Sequence, residues 1–190
     1  MKKGKQKQSN AEKILRQIEK LAQQESLPIV GPDRGKILAD EVRKAKPRHV
    51  LEVGTLVGYS AILMGKELDE DAEVVTVEIN RDAAKAAKEN VEKADISPKV
   101  TIILGNAVEV IPALNGPFDF AFIDAKKNEY LKYLKLAEDK FQRGTVVVAD
   151  NVGISGDQMS DYLNYVRNSG NYGSRYVQVE DDGLEISVRI

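Results

Sequence analysis

Two short stretches of this chain carry residues that could do chemistry together. The first, Phe122-Ile123-Asp124-Ala125-Lys126-Lys127-Asn128-Glu129-Tyr130, sets an aspartate just past an apolar, strand-like run. Lys127 follows it by three residues. The second, Val148-Ala149-Asp150-Asn151, ends another such run in an aspartate and an amide, with Asp150 lying 26 residues after Asp124. Strand ends on one edge of a parallel sheet lie side by side, so Asp124, Asp150 and Asn151 can meet around one hard cation. An all-oxygen set suits Mg²⁺, Mn²⁺ or Ca²⁺ better than zinc or copper. The alternative for each residue alone is a helix cap or turn at a strand end. Beside a dication the Lys127 ammonium would be destabilised, which suits a general base. The alternative there is a surface lysine within the Lys126-Lys127 pair.

A third stretch points to a cofactor. Leu51-Glu52-Val53-Gly54-Thr55-Leu56-Val57-Gly58-Tyr59-Ser60 links a strand-like run to a helix-like one. Gly54 permits a sharp turn and Gly58 opens the helix. The spacing is G-x-x-x-G, not the G-x-G-x-x-G that wraps a pyrophosphate, which disfavours a nicotinamide dehydrogenase. Glu78 ends the next strand, 24 residues after Gly54. An acid there can accept hydrogen bonds from both hydroxyls of a ribose. It can equally cap the helix beginning near Asn80. Gly105-Asn106-Ala107 closes the third strand, where an adenine edge would sit, and Asn106 also suits a helix cap. Together with the acidic strand ends, the loop suggests a metal-assisted enzyme that binds a nucleoside cofactor.

The elements that must position these residues alternate. Two amphipathic helices come first, over 11–25 with Ile14, Leu15, Ile18 and Leu21 on one face, and after Pro32 with Ile37, Leu38 and Val42 buried. Strands then read over 49–53, 73–79, 99–104, 118–123 and 145–149. Helices read over 59–68, 81–94, 107–114, 128–141 and 156–169. Strands over 172–179 and 184–190 close the chain, with Asp181-Asp182-Gly183 as their turn. This alternation predicts an α/β fold, a mostly parallel sheet with helices on both faces and a C-terminal antiparallel hairpin. The expected organisation is a disordered basic tail over 1–8 and a single domain over 9–190, divided into N-terminal helices (9–46) and an α/β core (47–190).

Composition excludes several classes. The chain has 190 residues, is 42% hydrophobic and 31% charged, and has a net charge of −2, so no global basic field recruits nucleic acid. It has no cysteine, which rules out disulfides and thiolate metal sites. The one histidine, His49, has no second histidine with which to share a metal and reads as structural. Neither a signal peptide nor a membrane span is evident, and a cytoplasmic location is expected.

The motifs resemble the metal-dependent O-methyltransferases that include the catechol and caffeoyl-CoA enzymes. The resemblance runs from Val30 to Val188 and implies a Rossmann-like class I methyltransferase sheet. Val30-Gly31-Pro32-Asp33-Arg34-Gly35 resembles the segment that packs over the methyl donor. Leu51–Gly54 with Gly58-Tyr59-Ser60 resembles the glycine motif, and Asp182-Gly183-Leu184-Glu185 the C-terminal hairpin. By this resemblance the cofactor is S-adenosylmethionine, contacted by Val30, Glu52, Gly54, Gly58, Tyr59, Ser60, Glu78, Asn106, Ala107 and Asp124. Ser60 would reach the donor's carboxylate. Asp124, Asp150 and Asn151 would hold Mg²⁺ (or Mn²⁺ or Ca²⁺), and Lys127 would be catalytic. Tyr176 stands where catechol-specific members carry a glutamate, and Lys126 where plant-type members carry an acid.

The acceptor implied is a small phenolic or catechol-like hydroxyl compound. A hydroxylated uridine in tRNA is the alternative within the same fold, with Arg34, Lys126, Lys127 and the Lys-rich N-terminus assisting. A non-catalytic cofactor-binding protein is a third reading, disfavoured by the complete set Asp124, Lys127, Asp150 and Asn151. The first amphipathic helix is a candidate contact for a homodimer.

Overall fold

The computed structural model describes residues 9–190, so the basic tail expected over 1–8 lies outside the described residues. A capping box opens the first helix. Ser9 Oγ accepts from Glu12 N at 3.2 Å, and the Glu12 carboxylate accepts from Ser9 N at 3.3 Å. This helix, α1 (Asn10–Glu25), buries Ala11, Ile14, Leu15 and Ile18. Leu21, expected on the same face, is exposed. The buried face packs with Ile62, Met64 and Ala94 of the same chain. The second helix, α2 (Gly31–Ala45), has Pro32 in its first turn and buries Leu38 and Val42, with Ile37 half-buried.

The alternation then follows as β1 (His49–Val53), α3 (Tyr59–Gly65), β2 (Glu73–Glu78), α4 (Arg81–Ala94), β3 (Lys99–Leu104), α5 (Ala107–Ala113), β4 (Phe118–Ile123), α6 (Tyr130–Ala137) and β5 (Phe141–Ala149). It ends with α7 (Ser160–Asn168), β6 (Tyr172–Val179) and β7 (Asp182–Arg189). The strands form one sheet in the order β3-β2-β1-β4-β5-β7-β6. β1 to β5 pair in parallel, and β7 pairs antiparallel with both β5 and β6. This is the expected Rossmann-like sheet.

Period-two alternation divides the core between the two faces. Leu51, Val53, Ala121, Ile123 and Val147 pack with Ile111, Leu134 and Tyr162 under α5, α6 and α7. Val50, Phe120, Phe122 and Val148 point the other way, onto Leu15, Leu38 and Ile62. Phe120 and Phe122 are fully buried, each contributing about 1.5–3 kcal/mol of apolar transfer energy.

The strand order sets the site. The chain steps outward from β1 to β3, then returns to place β4 on the other side of β1. A crevice opens at such a reversal, beyond the carboxyl ends of the strands. Gly54, Asp124 and Asp150 follow directly on β1, β4 and β5 there.

Several boundaries differ from the sequence expectation. The helix expected over 128–141 is a 3₁₀ turn (Lys127–Glu129), then α6, then a second 3₁₀ turn (Glu138–Lys140). A 3₁₀ turn, Gly156–Met159, likewise precedes α7. β5 starts at Phe141 because Phe141 pairs with Phe118 across a register shift. Thr145 Oγ1 closes that irregularity by accepting from Gln142 N and donating to Phe118 O. In the last hairpin Val179 pairs with Asp182, so the turn is Glu180-Asp181 and Asp182 begins β7. With the turn there, the Asp182 carboxylate faces inward and accepts from Arg34, Asn151, Gly153 and Ile154.

Candidate active site

A cavity of about 580 Å³ lies over the carboxyl ends of β1, β2, β3 and β4. Val30, Gly54, Tyr59, Ser60, Glu78, Asn106 and Ala107 line one part of it; Asp124, Lys127 and Asn151 line another. These ten expected residues therefore share one space. Three others do not line it. Gly58 is the left-handed N-cap of α3 and packs on Ala87 of α4. Asp150 is buried behind the wall. Glu52 is fully buried under the loop.

The loop follows from close backbone approach. Gly54 has φ +97°, and a Cβ there would drive into the Asp124 carbonyl. Gly54 N donates to Val77 O at 3.0 Å, and Asp124 N donates to Val53 O at 2.9 Å, so the ends of β1, β2 and β4 are stitched together. Both expected roles of Glu78 are open to it geometrically. One oxygen accepts from Asn80 N and the other from Leu56 N, each at 2.8 Å. A carboxylate offers about four acceptor sites, so each oxygen keeps capacity for a hydroxyl. Asn106 caps α5 by accepting from Val108 N at 3.1 Å, and it lines the cavity as well.

Glu52 opposes Thr76 in register between β1 and β2. Its Oε2 accepts from the Thr76 hydroxyl at 2.5 Å, which lies 2.5 Å from the Thr55 hydroxyl. Ser60 favours the charged form too, but Glu52 Oε1 has no well-directed partner. Burial dominates, and with the charges of Asp124 and Glu78 it pushes the Glu52 carboxyl up to about 7. A carboxyl raised from 4.5 contributes stability that is complete below about pH 4.5 and is lost as pH rises through about 7. Glu52→Gln, which keeps an oxygen for Thr76, is therefore expected to stabilise the fold near pH 8 by on the order of 2 kcal/mol and to have little effect near pH 5. Denaturant unfolding at the two pH values measures this. Equal effects at both would show that Glu52 does not change its charge there.

The acidic end is a tight network. Lys127 Nζ lies 2.8 Å from Asp124 Oδ1 and donates to the Tyr130 hydroxyl at 2.8 Å. The Tyr130 hydroxyl in turn donates to Asp150 O at 3.3 Å, fixing the lysine to the end of β5. Arg34, from the first turns of α2, sits between two aspartates. Its Nη1 donates to Asp182 Oδ2 at 2.8 Å. Its Nε is 2.8 Å from Asp150 Oδ1, but the N–H is not directed at that oxygen, so the contact is ionic and not a hydrogen bond. Burial, followed by the charge of Asp124, pushes the Asp150 carboxyl up, against the charges of Arg34 and Lys127.

This end fits a hard cation. Both Asp150 oxygens are buried without a hydrogen-bond partner, and beyond the ionic contact of Arg34 at Oδ1 this carboxylate can still take a positive ligand. Asp124 stands beside it across the β4–β5 pair. Asn151, at φ +61°, turns its Nδ2 to Asp182 and leaves its carbonyl oxygen unspent. The donors are two carboxylates and one amide. Among the described residues no cluster of three or more His, Cys, Asp or Glu side chains forms a richer site.

Sequence reasoning missed three contributors here. Tyr130 was visible only as the end of a motif, Arg34 as a charge within the segment over the donor, and Asp182 as a turn residue opening the hairpin motif. Their roles depend on contacts between distant segments, 148 residues apart for Arg34 and Asp182. Tyr176 donates its hydroxyl to Asp182 O at 2.8 Å, so it braces the hairpin.

Comparisons with known proteins agree with this geometry. A family model described as O-methyltransferase matches residues 5–168. Catechol O-methyltransferase B of Danio rerio is 38% identical over 172 residues, covering 84% of this chain and 64% of the relative. Catechol O-methyltransferase of Niastella koreensis is 37% identical over 127 residues, covering 65% of this chain and 58% of the relative. The chain thus spans less than two thirds of the length of these curated relatives. The crystal structure of an O-methyltransferase from Bacillus cereus in complex with SAH superposes with a TM-score of 0.84 at 28% identity, covering 99% of this chain and 94% of that one. With a family match over most of its length, on a sheet whose crevice gathers the expected motif residues, the chain belongs to the O-methyltransferase family.

Proposed function

We propose that this chain is an S-adenosylmethionine-dependent, divalent-metal-dependent O-methyltransferase acting on a hydroxyl of a small phenolic or catechol-like acceptor. The observation that carries the reading is one cavity with two chemically distinct ends: Glu78, Asn106 and Ser60 at one, Asp124, Lys127 and Asn151 at the other. Donor and acceptor can then face each other across it. The SAH-bound neighbour supports the donor assignment.

On this reading Glu78 accepts the ribose hydroxyls with the capacity its backbone contacts leave. Asn106 and Ala107 flank the adenine. Gly54 and Ser60 receive the methionine end, and Val30 and Tyr59 wall it off. Asp124, Asp150 and Asn151 hold the cation, which when bound supplies Lewis acidity that lowers the proton affinity of an acceptor hydroxyl. Lys127 Nζ, in its neutral amine form, accepts that proton, positioned by Asp124 and Tyr130. The freed oxygen pair forms the new C–O bond as the C–S bond of the sulfonium breaks.

The surroundings favour a small acceptor over tRNA. Lys126 is paired with Glu129 at 3.0 Å, and Arg34 is spent between Asp150 and Asp182. Exposed Asp33, Glu180 and Asp181 line an adjoining cavity of about 260 Å³. That rim would repel a polyanion. No helix among the described residues is long and apolar enough to cross a membrane. A cytoplasmic location is part of the proposal.

Methyl transfer from labelled donor should be assayed with catechols, flavonoids, and unmodified and hydroxylated tRNA, with and without EDTA. Turnover on a small vicinal-hydroxyl compound, abolished by EDTA and restored by Mg²⁺, is expected. Full activity after exhaustive chelation would reject the metal-assisted step. Turnover confined to hydroxylated tRNA and suppressed by salt would move the acceptor to RNA.

A further inference from the structure

Asp182 touches no part of the cavity's donor end, yet its carboxylate is saturated by the residues around the proposed cation site. Oδ2 accepts from Arg34 Nη1 and from Asn151 Nδ2, both at 2.8 Å. Oδ1 accepts from Gly153 N at 3.0 Å and Ile154 N at 3.2 Å. An ionised carboxylate is acceptor-only, with about four sites, and all four are taken by N–H donors. The chemistry at Asn151 is therefore one-directional. Only the NH₂ end of its amide can face Asp182, so the carbonyl oxygen must face away. Asn151 follows Asp150 directly at the end of β5, and the Asp150 carboxylate has no hydrogen-bond partner, only the ionic contact with Arg34.

Arg34 adds a second constraint. Held by Asp182, its guanidinium also stands against Asp150. Three segments far apart in sequence, the starts of α2 and β7 and the end of β5, are thus tied at one carboxylate. Asp182 is buried, with its side chain 7% exposed, which excludes competing water from most of it.

We propose that Asp182 is the positioning residue of the cation site, orienting the Asn151 amide so that its carbonyl oxygen is presented to the metal. This rests on the proposed reading of Asp124, Asp150 and Asn151 as ligands. In Asp182→Asn, the side chain would keep an oxygen for Gly153 N and Ile154 N. Its NH₂ would then meet the Asn151 NH₂, and the Asn151 amide would gain by turning its carbonyl toward position 182 and away from the site.

The test is binding of Mn²⁺ alone, read from the paramagnetic resonance of free Mn²⁺, to the parent protein, to Asp182→Asn, and to the exchanged pair Asn151→Asp/Asp182→Asn. Losing a partner that orients a metal ligand costs about 10–100-fold in metal affinity, and that weakening is expected for Asp182→Asn. The exchanged pair presents a carboxylate at position 151, which offers oxygen whichever way it turns, and the new amide at position 182 donates to it. It should regain most of the lost affinity. Binding of S-adenosylhomocysteine, which uses the other end of the cavity, should be unchanged in all three. Parent-like Mn²⁺ affinity in Asp182→Asn overturns the proposal, as does an exchanged pair no tighter than Asp182→Asn. A parent protein that binds no Mn²⁺ overturns the cation-site reading itself, so the two failures are distinguishable.

Discussion

Replacing Lys127 with alanine is expected to lower kcat by about 10²–10⁴-fold, the usual cost of removing a positioned general base. Metal and donor binding should survive. The side chain is one-fifth exposed and belongs to a 3₁₀ turn, not to a packed helix interior, so the fold should lose little. Its ammonium lies 2.8 Å from Asp124, where it would oppose a bound dication. Removing it should leave cation affinity equal or tighter, a result that distinguishes a base from a ligand-holding residue. Raising the pH should recover part of the rate, because an acceptor hydroxyl that ionises unaided no longer needs the lysine. Lys126→Ala is the control. Lys126 is two-thirds exposed and paired with Glu129, so its loss should change the rate on a small phenol little. Matching kinetic losses in the two variants would remove Lys127 from the role of base.

The legible part of this site is the part that follows from strand ends. Asp124, Asp150 and Asn151 each sit just past an apolar run, and parallel strands bring such positions to one edge whatever the strand order. Gly54 and Glu78 were legible for the same reason. The order itself, β3-β2-β1-β4-β5-β7-β6, was not, because alternation of strands and helices is compatible with several orders. Side-chain networks that close between distant segments were also hidden. Nothing local to Asp182 distinguishes a turn aspartate from one buried under four donors. Only the arrival of Arg34 and Asn151 shows it, in a hairpin whose turn lies at Glu180-Asp181. Glu52 shows a finer limit. Its place in the glycine motif marks it for the cofactor, whereas strand alternation turns it into the sheet beneath the loop, opposite Thr76. It can act on the cavity through Ser60 and Thr55, both of which line it. Helix boundaries near the site were misjudged where a 3₁₀ turn replaces the first α-helical turn, as at Lys127–Glu129. Lys127 opens that turn, beside Asp124 and Tyr130.

Gly54→Ala is expected to destabilise the fold by about 3–5 kcal/mol, combining a strained backbone with overpacking against an immovable neighbour. The residue holds φ +97°, and its added Cβ would lie against the Asp124 carbonyl, 2.8 Å from the carbonyl carbon and 3.3 Å from Ala125 Cβ. Backbone cannot rotate out of the way as a flexible side chain would. Asp124 N is anchored on Val53 O and Gly54 N on Val77 O, so relief requires parting β1 from β4 at the point where the site is built. Gly144→Ala separates the two costs. Gly144 has φ +91° with nothing within 4 Å of an added Cβ, so it bears the conformational penalty alone, about 1–2 kcal/mol. Denaturant midpoints for both variants measure the difference. The folded fraction of Gly54→Ala should also bind Mn²⁺ and S-adenosylhomocysteine poorly, because on the proposed reading the displaced Asp124 would serve the cation end and the displaced loop the donor end. A Gly54→Ala protein no less stable than Gly144→Ala would mean that β1 and β4 yield at their ends, and the rigidity assigned to this corner of the sheet would be wrong.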